Sequence, residues 1–170
     1  MKKILVAIAV IILIYGTYKG YRHYRHYKAL EQAESFIGQK VADSKLFTVD
    51  RKKIALSKLR GKDVVIVFWA SWCEYCKKEI PNIIEFYKSM DKNSTYLFSV
   101  AIDKKKQDLD SFLKKRALPY PVVFDKDLEF TKQFQVVGVP SIWIINKEGI
   151  ILAQNLRDIR SVQNILKKQK

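Results

Sequence analysis

Residues 64–76 read VVIVFWASWCEYC, a run of apolar residues that leads directly into a cysteine pair. The first part, Val64 to Phe68, is apolar at every position, which predicts a central strand buried on both faces. Cys73 and Cys76 stand where the following helix is expected to begin, so one helical turn can hold them as a disulfide or as two thiols. The chain has only these two cysteines, which excludes a framework of structural disulfides and a four-sulfur zinc site.

Length and charge limit the remaining possibilities. The 170 residues suffice for one α/β domain with a short additional segment. The formal net charge is +15, from 32 basic and 17 acidic residues. The basic residues are scattered along the chain and accompany no nucleic-acid-binding motif, so we expect a solvated basic surface and no nucleic-acid partner.

The amino terminus predicts a membrane anchor. Lys2 and Lys3 precede an uninterrupted apolar run from Ile4 to Tyr15, and the stretch between Lys3 and Lys19 would rise about 24 Å as a helix. No small-residue cleavage site follows the apolar core and no cysteine lies beside it, so we expect a retained signal-anchor. We divide the chain into a transmembrane anchor helix at 1–20, a basic and aromatic linker at 21–37 and a folded domain at 38–170.

The residues after the apolar run leave its orientation open. Their positive charge would place that end in the cytoplasm by the positive-inside rule; the residues are Lys19, Arg22, Arg25 and Lys28. Disulfide-bearing substrates, in contrast, are found mainly outside the cytoplasm. We expect the domain to face outward. His23 and His26 with the two cysteines would formally make a Cys2His2 metal site, but we interpret these histidines as part of an interfacial collar and expect no metal.

The segment FWASWCEYCKKEIP at 68–81, together with Gly138-Val139-Pro140-Ser141, resembles the thioredoxin superfamily, in particular its membrane-anchored TlpA-like and ResA-like thiol-disulfide oxidoreductases. The resemblance covers the chain from residue 38 onward and implies an α/β thioredoxin-like fold. The strand patterns at 46–49 and 54–56 predict an N-terminal β-hairpin extension. The interval from Cys76 to Pro140, 64 residues (140 minus 76), leaves room for the central βα insert of the TlpA-like branch.

The resemblance implies roles for the motif residues. Cys73, at the helix amino terminus where free N–H groups stabilise a thiolate, is the candidate nucleophile, and Cys76 is the resolving thiol. The pair itself is the redox group, so no further cofactor is expected. Pro140 is expected to be cis, which leaves the Val139 backbone to pair with an extended substrate segment. An ordinary proline at the start of a strand is the alternative.

Four further residues are candidates for the site. Glu79 either takes the proton of Cys76 or is a solvated helix residue. Glu74, beside the nucleophile, opposes thiolate formation and favours a reductant. Tyr75 replaces the proline common at this place in the family, and Trp72 is expected to shape the substrate surface.

These features predict a membrane-tethered protein-disulfide reductase. Its expected substrates are disulfide-containing exported proteins, with apocytochrome c as one candidate, and its expected electron donor is a membrane protein of the DsbD or CcdA kind. The domain would face the periplasm or extracytoplasmic side of the cytoplasmic membrane, held by a single pass. An extracytoplasmic oxidase or isomerase is the alternative enzyme, and a Sco-like metal-delivery protein is the alternative from another class.

Overall fold

The structure is a computed structural model that describes residues 2–33 and 36–168. It divides into two compact units, one up to residue 35 and the other from Phe36 onward. The first unit contains helix α1 (Lys2–Ala33), which runs without a break through the predicted boundary between anchor and linker. Within the described residues, no helix combines the length and the apolar character needed to cross a membrane.

The second unit is an α/β fold built on two sheets. Its elements are β1 (Lys45–Phe47), β2 (Lys53–Ala55), a short 3-10 helix (Leu56–Leu59), β3 (Asp63–Trp69), α2 (Glu74–Ser89), β4 (Thr95–Ala101), α3 (Lys106–Lys115), β5 (Val122–Phe124), α4 (Glu129–Gln133), β6 (Ser141–Ile145), β7 (Ile151–Leu156) and α5 (Ile159–Lys167). β1 and β2 pair antiparallel, with Leu46 opposite Ile54. The other five strands form one sheet in the order β5-β4-β3-β6-β7.

The directions of the central strands decide where the motifs meet. β3 pairs parallel with β4 and antiparallel with β6. Phe68, near the end of β3, lies opposite Ser141, the first residue of β6. The segment that follows β3 and the segment that precedes β6 therefore lie at the same end of the strands. The cysteine pair belongs to the first segment, and Val139-Pro140 belongs to the second.

The central strand is buried on both faces, as its apolar sequence predicts. Val64, Ile66 and Phe68 pack into the core on one face of the sheet, and Val65 and Val67 pack into the core on the other. All five side chains are at most 3% exposed. Because burial of each such side chain contributes about 1.5–3 kcal/mol, this strand is a rigid base for the loop that carries the cysteines.

The interval between Cys76 and Pro140 contains two strand-helix units after α2. The first is β4 with α3, and the second is β5 with α4. β5 pairs parallel with β4, Ser99 lying opposite Val122, and forms one edge of the sheet. At its end, the Asp125 carboxylate accepts a hydrogen bond of 2.7 Å from the Thr131 amide and so holds the first turn of α4.

The folded unit begins two residues earlier than the predicted boundary at 38. The ring of Phe36 packs edge-on against Trp143, with the ring centroids 5.8 Å apart. The following backbone continues along β7 and its turn, with hydrogen bonds from the Gly38 amide to the Ile151 carbonyl and from the Val41 amide to the Gly149 carbonyl. The aromatic contact explains the difference, because nothing in the local sequence marks Phe36 as part of the core.

Candidate active site

Cys73 and Cys76 form a disulfide at the amino terminus of α2, with the two sulfurs 2.13 Å apart. Cys73 is the N-cap residue, and its Sγ accepts a hydrogen bond of 3.1 Å from the Cys76 amide. Cys73 is 6% exposed and Cys76 is 2% exposed. A thiolate at Cys73 would keep this amide as a donor and lie at the positive end of the helix dipole, and both effects stabilise its charge.

The helix that carries the pair forms for clear local reasons. Its buried face consists of Cys76, Ile80, Ile83 and Phe86, which recur at the three- and four-residue spacing of an amphipathic helix. Trp69 and Ile80 pack in the same buried cluster as the two cysteines. The disulfide therefore packs against core residues.

The predicted substrate-binding backbone lies beside the nucleophilic sulfur. The Val139–Pro140 peptide bond is cis, and the Val139 carbonyl oxygen is 3.7 Å from Cys73 Sγ. Within the part of the chain that the structure describes, no backbone hydrogen bond involves the amide or the carbonyl of Val139. These two groups can therefore pair with an added extended segment.

Arg157 also contacts this backbone, and the sequence analysis did not identify it. Its Nη1 donates a hydrogen bond of 2.7 Å to the Pro140 carbonyl. A side chain at Gly138 would meet the same guanidinium at 3.7 Å, so the guanidinium covers the loop that precedes β6. No local motif predicts this contact, since Arg157 is 17 residues away from Pro140 in the chain.

The three aromatic residues near the motif have different environments. Trp72 is 61% exposed and Tyr75 is 77% exposed, so two large apolar surfaces flank the disulfide in solvent. Trp69 is buried and packs against Phe112 with ring centroids 5.1 Å apart. Trp72 and Tyr75 are thus available to a substrate, whereas Trp69 belongs to the core.

Glu79 is engaged by the last helix. Its Oε1 accepts a hydrogen bond of 2.8 Å from the Ile159 amide, and its Oε2 accepts one of 2.9 Å from Asn82 Nδ2. The carboxylate therefore caps the amino terminus of α5 and joins it to α2. Among the hydrogen bonds of the described residues, none connects Glu79 with Cys76. Transfer of the Cys76 proton to Glu79 stays a prediction.

Glu74 pairs with Lys77 one helical turn away. Lys77 Nζ lies 2.6 Å from Glu74 Oε1. This hydrogen bond and the lysine charge lower the pKa of the Glu74 carboxyl. The negative charge next to Cys73 is therefore stable at neutral pH, but a cation accompanies it, which weakens its effect on the sulfur.

Asp103 is a buried carboxylate beside the site that the sequence analysis missed. It is fully buried and accepts hydrogen bonds from the Ser71 amide, 3.1 and 3.2 Å from its two oxygens, and from the Ser71 hydroxyl. Ser71 follows β3 and Asp103 follows β4, which are adjacent parallel strands. Both residues therefore lie at the same end of adjacent strands, and this position in the sequence pattern could have predicted their contact. The carboxylate fixes the loop two residues ahead of Cys73.

The arrangement defines a thiol-disulfide exchange site on a thioredoxin-like fold. It combines a cysteine pair at a helix amino terminus, an unpaired stretch of backbone beside one sulfur, and exposed aromatic rings around both. The described residues contain no group of three or more His, Cys, Asp or Glu side chains placed to hold a metal ion.

Comparison with known proteins leads to the same class. The chain belongs to the AhpC/TSA family, which it matches over residues 37–154. The thiol-disulfide oxidoreductase ResA of Bacillus subtilis (strain 168) is 35% identical over 101 residues, which cover 59% of this chain and 56% of ResA. The aligned region thus spans little more than half of that relative. The predicted resemblance to ResA-like members of the thioredoxin superfamily is confirmed.

Solved structures agree with this assignment. StoA from Bacillus subtilis superposes with a TM-score of 0.65 at 25% identity, over 74% of this chain and 96% of StoA. The exposed lipoprotein thioredoxin Etrx1 of Streptococcus pneumoniae strain TIGR4 superposes with a TM-score of 0.67 at 27% identity, over 75% of this chain and 99% of Etrx1. The predicted thioredoxin-like α/β fold is therefore confirmed.

Proposed function

We propose that this protein is a thiol-disulfide oxidoreductase that reduces disulfides in other proteins through Cys73 and Cys76. The observation that carries the proposal is the position of Cys73 Sγ, which accepts the Cys76 amide at the start of α2 and lies 3.7 Å from the Val139 carbonyl. A sulfur in this place is both activated as a thiolate and adjacent to a binding edge for a polypeptide.

The reaction begins with the reduced pair. The Cys73 thiolate attacks one sulfur of the substrate disulfide, so a Cys73–substrate bond forms, the substrate disulfide breaks, and the leaving thiolate takes a proton from water. Cys76 then gives its proton to a base, for which Glu79 is the candidate, and attacks Cys73 Sγ. The Cys73–Cys76 disulfide forms, and the second substrate sulfur leaves as a thiolate. Two electrons pass from the cysteine pair to the substrate.

The surroundings of the disulfide support a protein substrate. The amide and carbonyl of Val139 offer two backbone hydrogen bonds to an extended segment beside Pro140. Trp72 and Tyr75 offer exposed apolar surface on the helix side of the disulfide. In this proposal Trp72, Glu74 and Tyr75 contact the substrate together with the backbone of Val139 and Pro140.

The direction of the reaction is the second part of the proposal. Glu74 keeps a negative charge beside Cys73, which disfavours the thiolate and lowers the reduction potential of the pair. We therefore propose a reductase, and we take an oxidase or isomerase as the competing enzyme. The reduced state would be restored by a membrane dithiol donor of the DsbD or CcdA kind.

The third part concerns location. We propose that α1 anchors the chain through its apolar run, with the folded unit outside the cytoplasm and exported proteins, such as apocytochrome c, as substrates. The support is the chemistry of residues 4–15, an uninterrupted apolar stretch with cations on both sides. Carbonate washing of membranes should leave the protein in the pellet, and protease added outside the inner membrane should remove the folded unit. Extraction by carbonate would refute the anchor, and protection from protease would refute the topology.

The catalytic proposal is tested with the full-length reduced protein and insulin. Reduced wild-type protein should reduce the insulin disulfides and become oxidised with matching stoichiometry, whereas Cys73→Ser should be inactive. The reduction potential should lie nearer to that of thioredoxin, about −270 mV, than to that of DsbA, about −120 mV. A value near the DsbA end would overturn the reductase in favour of the oxidase, and no exchange with insulin would overturn both.

A further inference from the structure

We propose that the preferred substrates carry acidic residues next to the disulfide that is reduced. Three cations around the active site, Lys78, Arg116 and Arg157, would recognise these residues, and we call the three side chains the cationic rim. This inference rests on the proposed function, because it specifies which protein disulfides the site accepts. The rim occupies two sides of the disulfide, and each side has its own evidence.

Arg157 forms the side next to the cis peptide. Its Nη1 is used by the Pro140 carbonyl, but a guanidinium has five N–H donors, and the residue is exposed. The Pro140 carbonyl directly follows the Val139 backbone, where a substrate segment would pair. A carboxylate one or two residues from the substrate cystine would therefore meet the remaining donors of Arg157.

Lys78 and Arg116 form the side next to the first turn of α2. Lys78 Nζ lies 5.9 Å from the centre of the Tyr75 ring, and Tyr75 stands between the two cysteines in the chain. Arg116 Nη1 donates a hydrogen bond of 3.3 Å to the Lys77 carbonyl. Both cations are exposed. Lys78 belongs to α2 itself, and Arg116 is hydrogen-bonded to the backbone of α2 close to the disulfide.

The carboxylates of this region already have partners. Glu74 pairs with Lys77, and Asp103 is buried against Ser71. Glu79 and Asp158 both accept hydrogen bonds from the first turn of α5, whose helix dipole opposes their charge.

Among the residues that the structure describes, in contrast, no rim cation forms a salt bridge with a carboxylate, although the charge of Lys78 also acts on Glu74 over a longer distance. The three salt bridges found among the described residues join Lys52 to Asp50, Lys77 to Glu74 and Lys106 to Asp110. None of them includes a member of the rim. Each rim cation can therefore form an ion pair with a carboxylate of an acidic polypeptide.

The first experiment compares three peptides with one internal disulfide and identical sequences, except that Asp, Asn or Lys flanks each cysteine. Pre-reduced full-length protein is mixed with each peptide, and the reduced peptide is measured after an acid quench. We assume that each rim cation forms one exposed ion pair with an Asp of the peptide. The second-order rate constant should then be about tenfold larger for the Asp peptide than for the Lys peptide. Raising the salt to about 0.5 M should remove most of this difference.

The second experiment separates the rim from the net charge of the protein. The triple substitution Lys78→Gln, Arg116→Gln and Arg157→Gln should reduce the preference for the Asp peptide to less than about twofold. A matched control removes three cations at the opposite end of the sheet, with Lys62→Gln, Lys147→Gln and Lys167→Gln, and should keep the preference. Because Arg157 also supports the loop before β6, the double variant Lys78→Gln, Arg116→Gln is measured as well and should lose part of the preference.

The outcomes distinguish the inference from the function on which it rests. If insulin and all three peptides stay oxidised, the proposed function fails. Equal rates for the three peptides alongside active reduction of insulin would overturn the inference alone. The same conclusion follows if the control triple loses the preference as fully as the rim triple. If the rim triple instead loses binding to phosphatidylglycerol vesicles while the peptide rates stay equal, the rim is a membrane contact and the inference is wrong.

Discussion

The two ends of the central sheet differ in shape and in chemistry. The end where β3 stops and β6 starts carries a disulfide, and the neighbouring residues Trp72 and Tyr75 have exposed rings. At the opposite end lies a cavity of about 510 Å³, whose lining contains no cysteine. This lining includes Asp63, Met90, Asn146 and Gln163. The reactive group therefore lies outside the cavity, just beneath a surface that carries exposed aromatic rings, with Cys73 the more exposed of its two cysteines.

The difference indicates what kind of substrate the site serves. Small molecules are bound in concave sites that bury most of their surface. A disulfide inside another protein can reach only a sulfur that is accessible from the surface, and it brings backbone groups that need partners such as those of Val139. The comparison predicts that substitutions at the disulfide end change exchange, whereas substitutions at the cavity end change stability alone.

Removal of either cysteine should have the largest effect. We expect Cys73→Ala and Cys76→Ala each to abolish turnover, because two sulfurs are needed to complete the exchange. Cys76→Ala should accumulate mixed disulfides between Cys73 and substrates, seen as reducible bands on a gel, and Cys73→Ala should accumulate none. In the reduced wild-type protein, Cys73 should be alkylated much faster than Cys76.

The control for this pair lies at the cavity end. Lys147→Gln should leave turnover unchanged, because Lys147 lines the cavity and contacts neither cysteine. Mixed disulfides trapped by Cys73→Ala would reverse the roles of the two sulfurs.

The buried carboxylate of Asp103 is predicted to have the next largest effect. Asp103→Asn should lower the free energy of unfolding by about 1–3 kcal/mol, because a buried network loses a charged acceptor. It should also slow insulin reduction, since the loop ahead of Cys73 loses its support from Ser71. Urea titration measures the first effect, and insulin turbidity measures the second.

Asp125 provides a matched control for this prediction. Its carboxylate is buried at the end of β5 and holds the Thr131 amide and hydroxyl in a similar way, but it supports α4 and not the cysteine loop. Asp125→Asn should destabilise the fold comparably and leave the exchange rate of the folded protein unchanged. Equal slowing by both variants would mean that Asp103 contributes only general stability.

The sequence predicted those features that depend on local pattern. The apolar run at 64–68 predicted the central strand, and the cysteine pair that follows it was expected to mark the start of the next helix. The strand-helix order together with the family motif then placed Val139 and Pro140 near the disulfide. In each case the information lies within a few residues or within a motif.

The contacts that support the site could not be predicted in the same way. The Glu79 carboxylate binds the Ile159 amide, 80 residues away in the chain, and Asp103 binds Ser71, 32 residues away. Such pairs depend on which strands are neighbours and on where each helix begins. An isolated glutamate or aspartate gives no sign of its distant partner, so the sequence left Glu79 as either the proton acceptor of Cys76 or a solvated helix residue.

The Glu74–Lys77 pair should tune the reduction potential by a smaller amount. Glu74→Gln should lower the pKa of the Cys73 thiol and raise the potential, and Lys77→Gln should shift both in the opposite direction. Each shift should be at most about 30 mV, which corresponds to about 1.4 kcal/mol. Equilibration with glutathione or dithiothreitol measures the potential. Lys88→Gln, in the last turn of the same helix, should cause no shift, and shifts of the same sign for Glu74→Gln and Lys77→Gln would contradict the electrostatic explanation.

The smallest expected effect concerns Asp63 at the cavity end. Burial raises the pKa of its carboxyl, with the charge of Lys147 acting in the opposite direction. A raised pKa means that the folded state binds the proton more tightly, so the contribution of Asp63 to stability is present at low pH and is lost as the pH rises through the raised pKa. Asp63→Asn should therefore be more stable than the wild type at pH 7, by less than about 1 kcal/mol, and should lose this advantage near pH 3. Urea titrations at both pH values measure the difference, with Glu129→Gln as an exposed control. A change in insulin reduction on Asp63→Asn would contradict the expectation that substitutions at the cavity end of the sheet change stability alone.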